Sequence, residues 1–589
     1  MTIVGVVGAV AASVPALGQG KIGLLELKGA PMEKPSELAW LLGSGEPTLR
    51  ELTEAIRDAG DEPGPLVIRL KDAHLNRTQV EELGAAMSAA RKKGKKVHVF
   101  AESYEPADLV LGSFADKVMI QSGGPVSLPG MFMEEMYLAD TLKWIGVKAD
   151  MVQVGDFKGA NEMYVNAAPS AAWETNINQL LDSLYGVMRE ELKSGRKLSD
   201  AKLDAAMNVA WMADDEEAVK TGLVDSSVDL TGLGVAVSGK ADAEFETLEP
   251  GTEGALKMGG GNPMTEMMNL MKVFSEAPNH KPKEPTIAIV HIDGVIIDGD
   301  STAGGMFGGE ASVGARTIRN ALEEVRDEDL IKGVVIRVDS PGGSATASEV
   351  MWQGIKRLAE KKPVWVSVGS MAASGGYYVS VAGDRIYVNP SSIVGSIGVV
   401  GGKMSMGGLY EWAKIKVVGR GRGPKADLFD SSKAWTPDQL VMVKDKMTRT
   451  FDLFKKRVAS GRKEIDLSKT AGGWLFAGQK AIDMKMADKV GGLDVTIQDL
   501  AAELKMEDYA VLDYPAPRAI PEIIEDAMKG FGAAGPKIQG LGTESQMASM
   551  LKEIVGPRAW PQVRSAISGL MLLRDQPVVL VMPRVIVVK

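Results

Sequence analysis

Gly333-Val334-Val335-Ile336-Arg337-Val338-Asp339-Ser340-Pro341-Gly342-Gly343-Ser344 is the stretch on which the fold turns. It starts as a β-branched apolar run, breaks on a proline and paired glycines, and opens into residues 345–359, which read as a helix. Strand, glycine turn and helix in direct succession mark a parallel α/β unit, because a parallel partner strand is reached only through a crossover. The same grammar extends on both sides. Residues 286–292 read as a strand upstream. Downstream, 364–368 reads as a strand, 374–382 as a helix and 385–388 as another strand.

The pattern occurs twice. Val67-Ile68-Arg69 recurs as Val335-Ile336-Arg337, and the same offset joins Asp116-Lys117 to Asp384-Arg385 and Trp144 to Trp412. Ser194-Gly195-Arg196-Lys197 recurs as Ser460-Gly461-Arg462-Lys463 at nearly that offset. Matches in one order along the chain mean a duplicated domain. The expected organisation is a first repeat over 22–238, a linker over 239–285, a second repeat over 286–515 and an extension over 516–589. The linker carries a Met-rich helix from Met264 to Met271, read as packing on a neighbouring domain. Residues 1–21 are free of charge before Lys21 and read as a membrane anchor or signal remnant, with a first strand as the alternative. Residues 577–588 are apolar but broken by Pro583 and Arg584, which predicts a terminal strand.

Composition narrows the chemistry. The 589 residues contain no cysteine, which excludes disulfides, thiol nucleophiles and Cys-ligated metals. His74, His98, His280 and His291 are the four histidines, and none forms a pair at ligand spacing, so no metal is expected. With 67 Lys and Arg against 77 Asp and Glu, the net charge of −10 argues against a nucleic-acid partner. A hydrolase built from this chain needs a base other than histidine.

Two turns of the second repeat are candidates for chemistry. Ser340-Pro341-Gly342-Gly343-Ser344 lies between strand and helix, where backbone N–H groups can hold an anion, or where glycines merely make the turn. Ala373-Ser374-Gly375-Gly376 presents Ser374 either as a helix N-cap or as an exposed nucleophile. The first repeat has Ala73-His74-Leu75 and Pro106 at the matching positions. A requirement of the fold alone would keep both features in both copies, so the comparison points to a site in the second. A serine then needs a base, and a lysine serves if desolvation lowers its pKa. Lys158, in Gly155-Asp156-Phe157-Lys158, has Phe157, Met163 and Tyr164 as apolar walls.

These motifs, with Thr346-Ala347-Ser348-Glu349, Asn389-Pro390-Ser391 and Gly395-Ser396-Ile397-Gly398-Val399, resemble the long, tandem-repeat form of the signal peptide peptidase A (protease IV) family. The resemblance covers residues 22–510. It implies an α/β fold, a tandem duplication of a ClpP/crotonase-like domain with parallel strands and flanking helices. It implies a Ser-Lys serine peptidase without a cofactor, with Ser374 as nucleophile and Lys158 as base. Ser396 would orient the lysine, and Gly375 with Gly342 and Gly343 would form the oxyanion hole. Ser396 also reads as a plain turn hydroxyl. Lys425, in Gly423-Pro424-Lys425-Ala426, is an alternative base at almost the repeat-equivalent position of Lys158. The implied substrates are hydrophobic peptides, remnant signal peptides among them. The implied setting is a homo-oligomer, a tetramer, on the extracytoplasmic face of a bacterial membrane. The competing functions are an inactive scaffold of the same fold and an acyl-CoA hydratase or isomerase.

Overall fold

The computed structural model describes residues 21–35, 47–251, 280–302 and 312–518, with the backbone of 578–581. The expected N-terminal anchor and the Met-rich linker helix lie outside the described residues, as does most of the extension.

Each repeat builds a sheet with a parallel core. In the first, β1 (Ile22–Gly29), β2 (Leu66–Ala73), β3 (Val97–Ala101), β4 (Lys117–Gln121), β6 (Ser226–Val228) and β7 (Phe245–Thr247) run in the order β6-β4-β3-β2-β1-β7. Every neighbouring pair is parallel. In the second, β8 (Thr286–Asp293), β11 (Ile331–Ser340), β13 (Val364–Ala373) and β14 (Arg385–Val388) repeat that core. β15 (Ile393–Gly395), β17 (Leu475–Ala477), β18 (Lys489–Val490) and β19 (Ala510–Tyr514) extend it, β17 as an antiparallel edge on β15. Val67 of β2 pairs with Leu24 and His98, and Val335 of β11 pairs with Ile289 and Trp365. The repeated tripeptide therefore occupies one place in two copies of a sheet.

Helices cover these strands, which is why β2 and β11 read as continuous apolar runs rather than alternating ones. Helix Arg77–Lys92 starts from a capping box of Asn76 and Gln79. Helix Ala345–Ala359 starts from Ser344, whose hydroxyl accepts from Ala347 N. Two bounds differ from expectation. β13 continues to Ala373, so the expected helix at 374 begins at Gly375. Phe245–Thr247, inside the stretch expected as linker, is an edge strand beside β1.

A third sheet joins the repeats. β5 (Lys148–Val154) leaves the first repeat and pairs antiparallel with β16 (Val399–Ser405) along its whole length, from Val154↔Val399 to Lys148↔Ser405. β9 (Val295–Ile297), β10 (Ser312–Gly314), β12 (Gly342–Ser344) and β20 (Val578–Val581) complete the order β10-β9-β12-β20-β16-β5. The stretch expected as a terminal strand thus contributes β20.

A buried ionic network locks the seam. Arg337, 1% exposed, donates to Glu33, Glu82 and Ser367. Glu82, from the first repeat, also accepts from Asn389 Nδ2 and Leu493 N. Each charge is paired, and both oxygens of Glu82 are engaged, whereas Glu33 binds through Oε2 alone and its Oε1 is buried without a partner. Burial, reinforced by Glu33 and Asp293, pushes the nearby Asp339 carboxyl up to about 7.

Candidate active site

β13 delivers the chain to Ser374, which sits at φ 55° and ψ −112°. For a residue with a side chain this conformation costs about 1–3 kcal/mol, so neighbours must hold it. Ser374 N donates to Gly395 O at 2.8 Å, and Tyr378 N donates to Ser374 O at 2.8 Å. Gly375 follows because a Cβ there would stand 2.6 Å from Ser348 Oγ and 3.1 Å from Gly342 Cα. Ser374 occupies the N-cap position of helix Gly375–Ser380 yet makes no capping bond. Its hydroxyl lies 2.6 Å from Lys158 Nζ instead.

Lys158 arrives from the other repeat. The β5–β16 pairing carries the loop after Val154 over the second repeat, and Phe157 N donates to Gly472 O at 2.9 Å to fix it there. Lys158 has no exposed surface. Its Nζ meets Ser374 Oγ at 2.6 Å, Ser396 O at 2.7 Å and Ser396 Oγ at 2.9 Å. All three partners are uncharged, and burial holds the amine well below the usual lysine range. A neutral amine has two N–H groups and one lone pair. The Ser396 carbonyl and hydroxyl can take the N–H groups, which turns the lone pair toward the Ser374 hydroxyl. Chemically this is a hydroxyl beside a desolvated amine whose neutral form burial favours, the arrangement an activated serine requires.

Ser396 is aligned as firmly as Ser374. It sits at φ 54°, and its N–H donates to Trp474 O at 2.6 Å. Trp474 in turn stacks on Phe157 with ring centroids 3.7 Å apart. Gly473, at φ 104°, lies against the Lys158 backbone, where a side chain would collide.

The glycine turn differs from expectation in one respect. Gly342 N donates to Ser340 Oγ at 3.1 Å, and Ser340 Oγ donates to Gly294 O at 2.6 Å. That amide is committed to shaping the turn. Gly343 is the turn residue whose amide stands next to Gly375, since a Cβ on Gly375 would lie 3.2 Å from Gly343 N.

The structure therefore brings together Lys158, Ser374, Ser396, Gly375 and Gly343, and it sets Lys425 apart on the exposed surface. No histidine among the described residues hydrogen-bonds Ser374; His291 pairs with Asp513, and His280 bonds the Asp513 carbonyl. One residue escaped sequence reasoning. Asn176, fully buried on helix Ala171–Arg196, donates to Phe157 O at 2.9 Å and Gly473 O at 3.2 Å. Its Oδ1 accepts from Leu475 N at 2.9 Å. A single amide thus ties the lysine loop to the segment that holds Ser396. Its only trace in the sequence is an asparagine inside a long helix, where that residue is a poor helix former.

Comparison with known proteins matches this division of the chain. The model of Peptidase family S49 matches residues 89–237 and 356–507, one stretch in each repeat. Protease 4 of Haemophilus influenzae is 27% identical over 500 residues, covering 80% of this chain and 76% of that protein. Protease 4 of Salmonella typhi is 26% identical over 533 residues, 86% of this chain and 82% of that one. Among solved structures, a mutant of ClpP1 from Listeria monocytogenes is 14% identical with a TM-score of 0.23, covering 35% of this chain and 91% of that chain.

Proposed function

The chain belongs to peptidase family S49, and on that premise we propose that it is a serine peptidase with Ser374 as nucleophile and Lys158 as general base. Ser374 gives its proton to Lys158 Nζ as Oγ attacks the scissile carbonyl carbon. The N–H groups of Gly375 and Gly343 stabilise the oxyanion that forms. Collapse breaks the C–N bond, and the Lys158 ammonium returns the proton to the departing amine. Water, deprotonated by the same amine, then hydrolyses the acyl-enzyme and restores Ser374. Ser396 orients the lysine throughout.

One observation supports this reading above the others: a lysine without exposed surface, bound only to uncharged groups, stands 2.6 Å from a serine held at positive φ. The proposed substrates are extended hydrophobic peptides, remnant signal peptides among them, met at the extracytoplasmic face of a membrane. This part follows the family resemblance. Among the described residues no helix is long and apolar enough to cross a membrane. We also propose assembly of several copies, for which Trp144 and Trp412, 85% and 78% exposed, offer apolar contact.

The test is hydrolysis of a hydrophobic peptide in detergent by wild type and Ser374→Ala, with labelling by a serine-reactive phosphonate. Wild type should hydrolyse the peptide and carry the label on Ser374, and the variant should do neither. Activity retained in Ser374→Ala would sink the assignment.

A further inference from the structure

Thr346-Ala347-Ser348-Glu349 lies in the first turns of helix Ala345–Ala359, directly after the glycine turn. Its last two residues both meet the helix that follows Ser374. Ser348 Oγ donates to Ser344 O at 2.8 Å and stands so close to Gly375 that a Cβ there would come within 2.6 Å of it. The Glu349 carboxylate accepts from the hydroxyl of Tyr378, on helix Gly375–Ser380. Arg457, on helix Pro437–Gly461, grips the same carboxylate through Nε and Nη2, its guanidinium 4.0 Å from the Trp352 ring centroid. Gln353 Nε2 adds a bond of 2.7 Å. Burial alone would raise the Glu349 pKa, but the bonds from Arg457, Tyr378 and Gln353 outweigh it and hold the group below the usual carboxylate range. Burial and the neighbouring carboxylate keep the Tyr378 hydroxyl protonated, so it donates at any working pH. The Tyr378 ring packs on Phe454 with centroids 4.9 Å apart, and its N–H donates to Ser374 O. One tyrosine thus holds the nucleophile by its backbone and the neighbouring helix by its side chain.

In the first repeat the positions of Glu349, Tyr378 and Arg457 are taken by Glu81, Val110 and Glu191. The glutamate is there without either donor, and Glu81 accepts from Ser391 N across the seam instead. The clamp therefore belongs to the copy that carries Ser374, as a requirement of the fold alone would not. It also joins the two elements that carry the oxyanion donors. Gly343 directly precedes Ser344, the N-cap of helix Ala345–Ala359, and Gly375 opens helix Gly375–Ser380. We propose that Glu349 and Tyr378 are positioning residues of the oxyanion hole: their hydrogen bond, braced by Arg457, fixes one helix against the other and so sets the separation of the Gly343 and Gly375 amides. That these amides form such a hole rests on the peptidase reading. Preorganised donors stabilise a transition state only when both stand about 3 Å from the developing oxyanion, so a small change in helix spacing weakens one of them.

Tyr378→Phe removes the hydroxyl and leaves the ring on Phe454. With a hydrophobic peptide, kcat should fall roughly tenfold to a hundredfold, less than for deletion of a whole donor, while KM stays within about twofold. The rising limb of the pH profile should not move, because Lys158 is untouched. The readout specific to the hole is a peptidyl boronic acid, whose adduct with Ser374 puts a boronate oxygen where the oxyanion forms. Its affinity should weaken by about the same factor as kcat. The corresponding uncleaved peptide should bind the Ser374→Ala chain equally well with and without Tyr378→Phe. Glu349→Ala combined with Tyr378→Phe should be about as impaired as the worse single variant, since both remove one interaction. Unchanged kcat and boronate affinity in Tyr378→Phe would overturn the proposal. Equal weakening of boronate and peptide would overturn it too, and make the clamp a general support. All rates are taken at temperatures where denaturant unfolding shows each variant folded. A wild type that neither hydrolyses the peptide nor binds the boronate would instead count against the peptidase reading, and that result precedes any variant.

Discussion

The two repeats have one core and opposite endowments. β2 and β11 hold the same tripeptide in the same register, and each is followed by a turn and a helix. In the first copy that turn carries His74, and Pro106 opens the helix Pro106–Gly112. In the second the equivalents are Gly342 and Ser374. The lysines divide the other way. Lys158 follows a strand paired with β16 and is sealed from water, whereas residues 415–425, its counterpart stretch, are exposed throughout. Neither copy holds a complete set. On the proposed assignment, one copy carries the nucleophile and its glycine turn while the other carries the base. What seals Lys158 from water is the second repeat's own backbone, above all Gly473 and the Ser396 carbonyl, packed on an incoming loop.

The sharpest way to break this comparison is to exchange the lysines. Lys158→Ala should lower kcat/KM for a hydrophobic peptide roughly ten-thousand-fold or more, while Lys425→Ala stays within about twofold of wild type. The opposite result would return the whole site to the second repeat. A smaller effect tests how the loop is held. Asn176→Ala should lose about ten- to a hundredfold in kcat with little change in KM, because three backbone partners lose their tie and the lysine loop shifts.

The pH profile sharpens this second prediction. Activity requires neutral Lys158, so kcat/KM should rise as pH passes through a value well below the ordinary lysine pKa and then level off. In Asn176→Ala, water reaching the amine favours its charged form, and the rising limb should move to higher pH. A purely structural role would lower the plateau without moving the limb.

The smallest expected effect on chemistry concerns the seam. Glu82→Ala leaves Arg337 with Glu33 and strips a partner from Asn389 and Leu493 N. Unfolding in denaturant should show a loss of about 3 kcal/mol, with kcat nearly unchanged at temperatures where the chain stays folded. A large loss of kcat at full stability would mean that the seam tunes the site rather than merely joining the repeats.

Much of the scaffold was legible because parallel strands covered on both faces are apolar over most of their length, as β8, β11, β13 and β14 are. The duplication was legible from identities in order. Ser374 was legible mainly by contrast with Pro106, since alone it resembles an N-cap. Only geometry reveals that its hydroxyl caps nothing and that its φ is positive. The choice between Lys158 and Lys425 was beyond local sequence, because burial depends on β16 and on residues near 473. The commitment of the Gly342 amide to Ser340 Oγ was equally hidden, as was the role of Asn176, whose partners lie far along the chain.

The antiparallel pairing of β5 with β16 has a consequence for how the molecule comes into being. Synthesis runs from the N-terminus, so the lysine is made long before the serine, and the Gly473–Leu475 backbone that closes over both is made later still. A nascent chain therefore carries an ordinary charged lysine and later an idle serine, and neither can attack a neighbour's peptide bond. On the proposed assignment, reactivity is the last product of long-range folding, since Lys158 and Ser374 meet only when β5 has paired with β16.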